Sequence, residues 1–311
     1  MEKKYHGIIP PIISPVTEKE DIDVEGYQGL LDYCIDGGLQ GIFVAGTNGE
    51  TMALTQQERN KIIGVTLEHV GGRVPVIAGA MDSSTRRVIE NIKSIEEMGG
   101  TCAAVTSIFY DRHTSQDETI RHFETILKET AIDLVVYNIP SFTGIKLTAD
   151  TVLKIVGLDE RIVAYKDSSG SYAEFMQVLA ALQSSHVSVM QGVTGQALSA
   201  VLMGADGFVP ALAPAFPGLF ADAYQAARAG DIPLTRRFNT LIMESSRMLG
   251  MCKNATAAAK YVISLRGFTD KRVICPQDTI QPVDEERIRS KFNEIEAGYA
   301  ELKKHGKGKD R

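Results

Sequence analysis

The chain has 311 residues, about twice a domain of roughly 150 residues. Hydrophobic residues make up 44% of it and charged residues 23%, a balance that excludes a fibre or a disordered tail and requires a packed core. The 39 acidic residues outnumber the 33 basic ones, for a formal charge of -6, so no general attraction to nucleic acid or an anionic membrane is expected and a small-molecule protein is indicated.

From the N-terminus, Met1 to His6 runs directly into the first apolar segment without the hydrophobic region of a signal peptide. Short runs rich in β-branched residues then recur at 7–13, 41–45, 74–80, 102–108, 134–139, 162–166, 187–193 and 207–211. Such runs, apolar without alternation, suit strands buried on both faces of a parallel sheet. Helical patterns separate them. Three open with a hydroxyl N-cap and an acid three residues on, Thr55 with Glu58, Ser115 with Glu118 and Ser171 with Glu174. The strand centres are mostly spaced by about 30 residues, the length of a βαβ unit. A doubly wound open sheet is the alternative, but no GxGxxG follows the first strand, and eight units over residues 1–216 predict a (β/α)8 TIM barrel. After Pro217 the strands stop, and helices are expected at 219–229, 234–249, 255–265 and 285–302, a C-terminal helical domain of residues 217–311. The basic stretch at 303–311 contains two glycines and reads as a solvated terminus without function.

No stretch approaches the roughly 18 uncharged apolar residues needed to span a bilayer. Cys34, Cys102, Cys252 and Cys275 lie in apolar segments without a CxxC pair, so four buried thiols in a reducing, cytoplasmic compartment are expected. His6, His69, His113, His122, His186 and His305 show neither HxH nor HExxH spacing, which leaves no metal motif.

Reactive groups of a (β/α)8 barrel sit at the C-terminal ends of its strands. Three strand ends there are polar: Gly46-Thr47-Asn48-Gly49-Glu50, Tyr137-Asn138-Ile139-Pro140 and Lys166-Asp167-Ser168-Ser169-Gly170. Lys166 closes an apolar strand. Desolvation there lowers an amine's pKa and yields the neutral nucleophile that forms a Schiff base with a carbonyl, although position alone equally suits a lysine reaching water beside Asp167. Tyr137 supplies a phenol able to relay protons, or is a core tyrosine with a wetted hydroxyl. In the 46–50 segment two glycines permit positive φ and close approach. Its N–H groups would then cradle a carboxylate while the Thr47 hydroxyl bonds and orients Tyr137. An ordinary βα turn is the competing reading, with Glu50 stabilising it.

Together these segments resemble the dihydrodipicolinate synthase and N-acetylneuraminate lyase family of Schiff-base class I aldolases. The resemblance runs from Gly7-Ile8-Ile9-Pro10-Pro11 through the 46–50 loop, 137–144, Lys166 and Gly204-Ala205-Asp206-Gly207 to the C-terminal helices. It implies a barrel with a helical C-terminal domain, usually a homotetramer, whose lysine forms an imine with pyruvate or a related 2-keto acid. It implies no metal or organic cofactor. By the same resemblance Lys166 is the imine-forming lysine and Tyr137 the proton-relay phenol. Gly46, Thr47 and Asn48 hold the keto-acid carboxylate, Thr47 also being the middle of the relay. Tyr110 corresponds to a tyrosine that reaches the neighbouring subunit's site, and Gly192 and Val209 to positions lining the pocket.

Two departures bear on substrate. Phe142 stands where the synthases carry a carboxylate-binding arginine, so a charge-assisted contact worth roughly 1.5–3 kcal/mol is missing, and Phe142 is expected to wall off the distal pocket. Gly192 is followed by Val193-Thr194-Gly195-Gln196, without the acids that hold sugar hydroxyls in the sialic acid lyases. Asn48 and Ser168 are instead similar to 4-hydroxy-2-oxoglutarate aldolases and 2-keto-3-deoxy sugar acid aldolases, although Ser168 also reads as a cap or turn residue. The expected activity is therefore aldol cleavage or condensation on a 2-keto acid. The alternatives are 4-hydroxy-tetrahydrodipicolinate synthesis, dehydration of a sugar acid through the same imine, or non-catalytic keto-acid binding.

Overall fold

The computed structural model describes residues 3–306. Eight parallel strands, β1 (Gly7–Ile8), β2 (Ile42–Val44), β3 (Val76–Gly79), β4 (Cys102–Val105), β5 (Asp133–Asn138), β6 (Ile162–Asp167), β7 (Ser188–Gln191) and β8 (Gly207–Phe208), follow one another around a curled sheet. The order is β1-β8-β7-β6-β5-β4-β3-β2. Its two ends meet just beyond β1. Pro11 bridges Phe43 in parallel, the Phe43 N–H donates to the Pro10 carbonyl at 2.9 Å, and the Ile12 N–H donates to the Phe43 carbonyl at 3.0 Å. β1 and β8 are shorter than the apolar runs that contain them because Pro10, Pro11 and Pro210 have no N–H to give a ladder.

The helices are α1 (Val24–Asp36), α2 (Gln56–Val70), α3 (Thr85–Glu97), α4 (Gln116–Glu129), the single-turn α5 (Pro140–Thr143), α6 (Ala149–Val156), α7 (Tyr172–Leu182), α8 (Thr194–Leu202), α9 (Pro217–Arg228), α10 (Ile232–Arg247), α11 (Ala255–Ser264) and α12 (Pro282–Gly306). Thr55 and Ser115 cap α2 and α4 through the N–H groups of Glu58 and Glu118. Glu58 does not complete a capping box, whereas Glu118 turns back on its own N-cap segment. Glu58 accepts instead from the Ile22 N–H at 2.6 Å, and Glu118 from the Thr114 N–H at 2.6 Å. Ser171 makes no side-chain cap at all, and Glu174 is drawn to Lys146 at 2.6 Å. α9 packs on β1 and α8 as well as on α10, so the first helix after the strands also covers the barrel wall. α10 packs on α8 and α12, and α11 on α12.

Strand alternation sorts the apolar residues into two layers. On β5 and β6, Leu134, Val136 and Tyr165 face the helices and join Phe123, Val152 and Phe175. Val135, Tyr137 and Ala164 face inward and join Ile9, Phe43, Ile77, Met190 and Val209. The inner layer fills the barrel and forms the floor on which the polar strand ends stand.

Among the described residues, no helix is long and apolar enough to cross a membrane. Cys34 and Cys102 are buried, but Cys252 is half-buried and Cys275 exposed, so the expectation of four buried thiols holds for only two. Cys275 sits in the loop between α11 and α12, outside any core layer. Residues 307–311 of the basic C-terminal stretch lie outside the described residues.

Candidate active site

Lys166 shares its parity along β6 with Ala164, so its side chain enters the barrel. It is 6% exposed. Its Nζ lies 3.8 Å from the centroid of the Tyr137 ring and 4.6 Å from that of Phe43, and the two rings meet edge to face at 6.0 Å. Tyr137 and Lys166 are register partners on adjacent strands, which is why a lysine and a phenol 29 positions apart meet. Burial pushes the Lys166 amine below the usual lysine range, and the Tyr137 phenol opposes that push in part. Asp167 does not pair with it. Being one residue on, Asp167 faces the opposite way and accepts from Asn138 Nδ2 at 2.9 Å, Tyr165 Oη at 3.0 Å and Ser169 Oγ at 3.0 Å. Those bonds hold the end of β6 in place from behind.

The 46–50 loop is built differently from its sequence expectation. Positive φ falls on Ala45 and Glu50, at 51° each, and not on Gly46 or Gly49. The glycines serve close approach instead. A Cβ at Gly46 would sit 3.0 Å from Phe43 Cζ, and one at Gly49 would sit 3.2 Å from the Ile12 carbonyl and from Ser14 Oγ. Three N–H groups of the turn are used internally: Gly49 and Thr51 donate to Gly46, and Glu50 to Thr47. The N–H groups of Thr47 and Asn48 have no acceptor among the described residues, so these two remain for an anion. The Asn48 side chain is occupied: its Nδ2 donates to the carbonyls of Pro11 at 3.3 Å and Ala211 at 3.1 Å, tying the loop to the segments after β1 and β8. No hydrogen bond joins Thr47 to Tyr137 among the described residues.

The other candidate positions scatter. Val209, 5% exposed, packs in the inner layer with Phe43 and Tyr137. Ser168 and Gly192 touch: a Cβ at Gly192 would fall 2.1 Å from Ser168 Oγ and 2.8 Å from the Asp167 carbonyl. Gly192 is thus required by the close pass of β7 to β6, where its own N–H donates to Asp167 at 2.6 Å. Phe142, on α5, is two-thirds exposed and borders a cavity of about 210 Å³ that begins at Thr47. Tyr110, at φ 69°, is 99% exposed and is not gathered with Lys166 within the chain.

Several residues here escaped sequence reasoning. Phe43 forms one wall of the lysine's enclosure, and Met52, Met81, Phe109 and Ile139 line the cavity. Lys260 of α11, fully buried, forms an ion pair with Glu50, whose other oxygen accepts from the Ile274 N–H at 3.0 Å. The available signal for Lys260 was a lone lysine in the apolar run Ala257-Ala258-Ala259-Lys260-Tyr261-Val262-Ile263. Among the described residues, no group of three His, Cys, Asp or Glu side chains could hold a metal ion.

A lysine beside aromatic rings at the C-terminal end of a barrel strand, next to a phenol, is the arrangement a Schiff-base enzyme needs, and by its relatives the chain is an enzyme of the class I aldolase type, a carbon–carbon or carbon–oxygen lyase. Residues 4–297 match the dihydrodipicolinate synthetase family, and the chain belongs to it. It is 28% identical over 289 residues to a 4-hydroxy-tetrahydrodipicolinate synthase of Parabacteroides distasonis, covering 93% of this chain and 96% of that one. It is 30% identical over 284 residues to the synthase of Neisseria meningitidis serogroup B, covering 91% and 96%. The 4-hydroxy-tetrahydrodipicolinate synthase structure from Methylacidiphilum fumariolicum SolV superposes with a TM-score of 0.90 at 27% identity, covering 96% of this chain and 99% of that one. YagE, an E. coli K12 prophage protein solved in complex with pyruvate, shares the fold with a TM-score of 0.89 at 24% identity, over 94% and 99% of the two chains.

Proposed function

We propose that this protein is a Schiff-base aldolase that cleaves or builds a 2-keto acid, with pyruvate as the keto component. The observation that carries the reading is the Lys166 amine, buried and without a carboxylate partner, over the Tyr137 ring. Neutral Lys166 attacks the C2 carbonyl, and the carbinolamine loses water as Tyr137 gives the departing hydroxyl a proton, leaving a protonated imine and the Tyr137 phenolate. In cleavage of a 4-hydroxy-2-keto acid, Tyr137 takes the C4 hydroxyl proton as the C3–C4 bond breaks. The electron pair passes into the iminium as an enamine, and the aldehyde leaves. Protonation at C3 and hydrolysis then release pyruvate and Lys166. The free N–H groups of Thr47 and Asn48 bind the keto-acid carboxylate beside Gly46, and Val209, Gly192 and Ser168 border the keto acid. Thr47 is the middle member of the proton relay.

The same proposal includes assembly and location. The exposed Tyr110 completes the relay of a neighbouring subunit in a cytoplasmic homotetramer, and residues 217–311 form a C-terminal helical domain on a closed (β/α)8 barrel of residues 1–216, with no cofactor. The pyruvate complex of YagE supports the keto acid. Borohydride reduction in the presence of pyruvate tests the core of it: a single adduct on Lys166 is expected, and an unchanged mass refutes it. A second reading, 4-hydroxy-tetrahydrodipicolinate synthase, is favoured by the relatives' names. Coupled synthase turnover separates the two, because Phe142 supplies no cation for a substrate carboxylate.

A further inference from the structure

We infer that the aldehyde partner of this reaction is uncharged and apolar, an aryl or branched alkyl aldehyde, and that the cavity beside Thr47 is its subsite. This inference rests on the aldolase reading above and adds the substrate class. The cavity opens over the ends of β2 to β5, and at about 210 Å³ it exceeds the roughly 150 Å³ apolar cavity known to accept benzene. Its walls are Met52, Met81, Phe109, Ile139 and Phe142.

The polar groups around it are neutral or already committed. Glu50 is consumed by Lys260 and the Ile274 N–H. The Thr106 hydroxyl donates to Ser107 at 2.8 Å, and that of Thr143 to Ile145 at 3.1 Å. Gln277 accepts from Asn254. No lysine, arginine or histidine lines the space. A carboxylate entering it would give up water without finding a cation, and a chain of hydroxyls would lie mostly against methionine and aromatic side chains. The groups left over are neutral: the hydroxyls of Thr47 and Thr256, the Gln277 side-chain NH2, and the Thr51 hydroxyl, which is 5% exposed, has no hydrogen-bond partner among the described residues and can bond the aldehyde oxygen.

The cation that must be accounted for is Arg112, which lies against the α5 turn so closely that a Cβ at Gly144 would fall 2.4 Å from its Nη1. Arg112 is exposed and does not line the cavity.

The test gives the full-length protein pyruvate together with benzaldehyde, isobutyraldehyde, succinic semialdehyde or D-glyceraldehyde, with kcat/KM read from product mass and the borohydride adduct on Lys166 scored in parallel. The apolar aldehydes are expected to be at least about tenfold better, the scale on which an apolar pocket discriminates. Phe142→Arg should move that ratio at least tenfold toward succinic semialdehyde. An adduct with pyruvate combined with a preference for succinic semialdehyde, abolished by Arg112→Met, overturns the apolar subsite and leaves the aldolase standing. A preference for glyceraldehyde overturns it as well. Absence of the adduct overturns the aldolase, and the subsite with it.

Discussion

Among the described residues two lysines are buried, and they are buried in opposite surroundings. Lys166 lies among aromatic rings with no carboxylate partner, and Lys260 is locked to Glu50. Burial lowers the pKa of both amines from the usual lysine range. Opposing that push, Lys260 has a carboxylate and Lys166 only a phenol. A paired amine keeps its proton and acts as a fastener, here tying the 46–50 loop to α11, whereas an unpaired one is available as a nucleophile. Burial of a lysine therefore says little about chemistry until its partner is known.

The largest effect that breaks the comparison is Lys166→Met, which should abolish both the borohydride adduct and turnover while leaving the fold intact. It should also change the pH dependence of stability. Because the folded amine's pKa lies below its unfolded value, the unfolded state binds more protons between the two, and stability rises with pH through that window. Lys166→Met should flatten this slope and raise Tm at neutral pH, as thermal melts between neutral and alkaline pH would show. A Tm that falls would contradict a folded-state amine pKa lying below the unfolded one.

Next in size, Tyr137→Phe keeps the ring beside Lys166 but removes the relay oxygen. A loss of about 10²–10⁴ in kcat is expected, the usual range for one general acid–base group, with the Lys166 adduct still detectable. Steady-state kinetics alongside trapping checks both halves. Equal loss of adduct and turnover would place the phenol in imine formation alone.

Lys260→Met sharpens the other side. It leaves Glu50 charged and buried, and a cost of about 3–5 kcal/mol in denaturant unfolding is expected. Adding Glu50→Gln removes that charge while keeping an acceptor for the Ile274 N–H, so the double variant should recover at least half of the loss. If it recovers nothing, the pair is not what holds the loop to α11.

Much of this was legible in the sequence because it depends on local chain physics. Eight unalternating apolar runs at a spacing of mostly about 30 residues describe strands covered on both faces, and eight βα units without a GxGxxG after the first strand fit a barrel better than an open sheet. Lys166 and Tyr137 were legible because strand ends in such a fold converge. Of the two readings of the 46–50 glycines, close approach holds, with Phe43 and Ser14 as the neighbours that demand it, whereas positive φ falls instead on Ala45 and Glu50, because the packing that decides this is invisible locally. The capping boxes at Thr55 and Ser171 remained incomplete because Glu58 and Glu174 found partners in other segments, Ile22 and Lys146.

By itself the sequence determined the strand and helix order and the polar strand ends, and it singled out Lys166 as the candidate amine, all consequences of periodicity and of residue type at a run's end. Only the tertiary structure decided that Asp167 turns its back on Lys166, that Asn48 staples loops with its side chain, and that Lys260 closes on Glu50 from more than 200 positions away. The reason is physical: which charges are paired depends on distances across the barrel mouth, and those distances exist only once the sheet has curled.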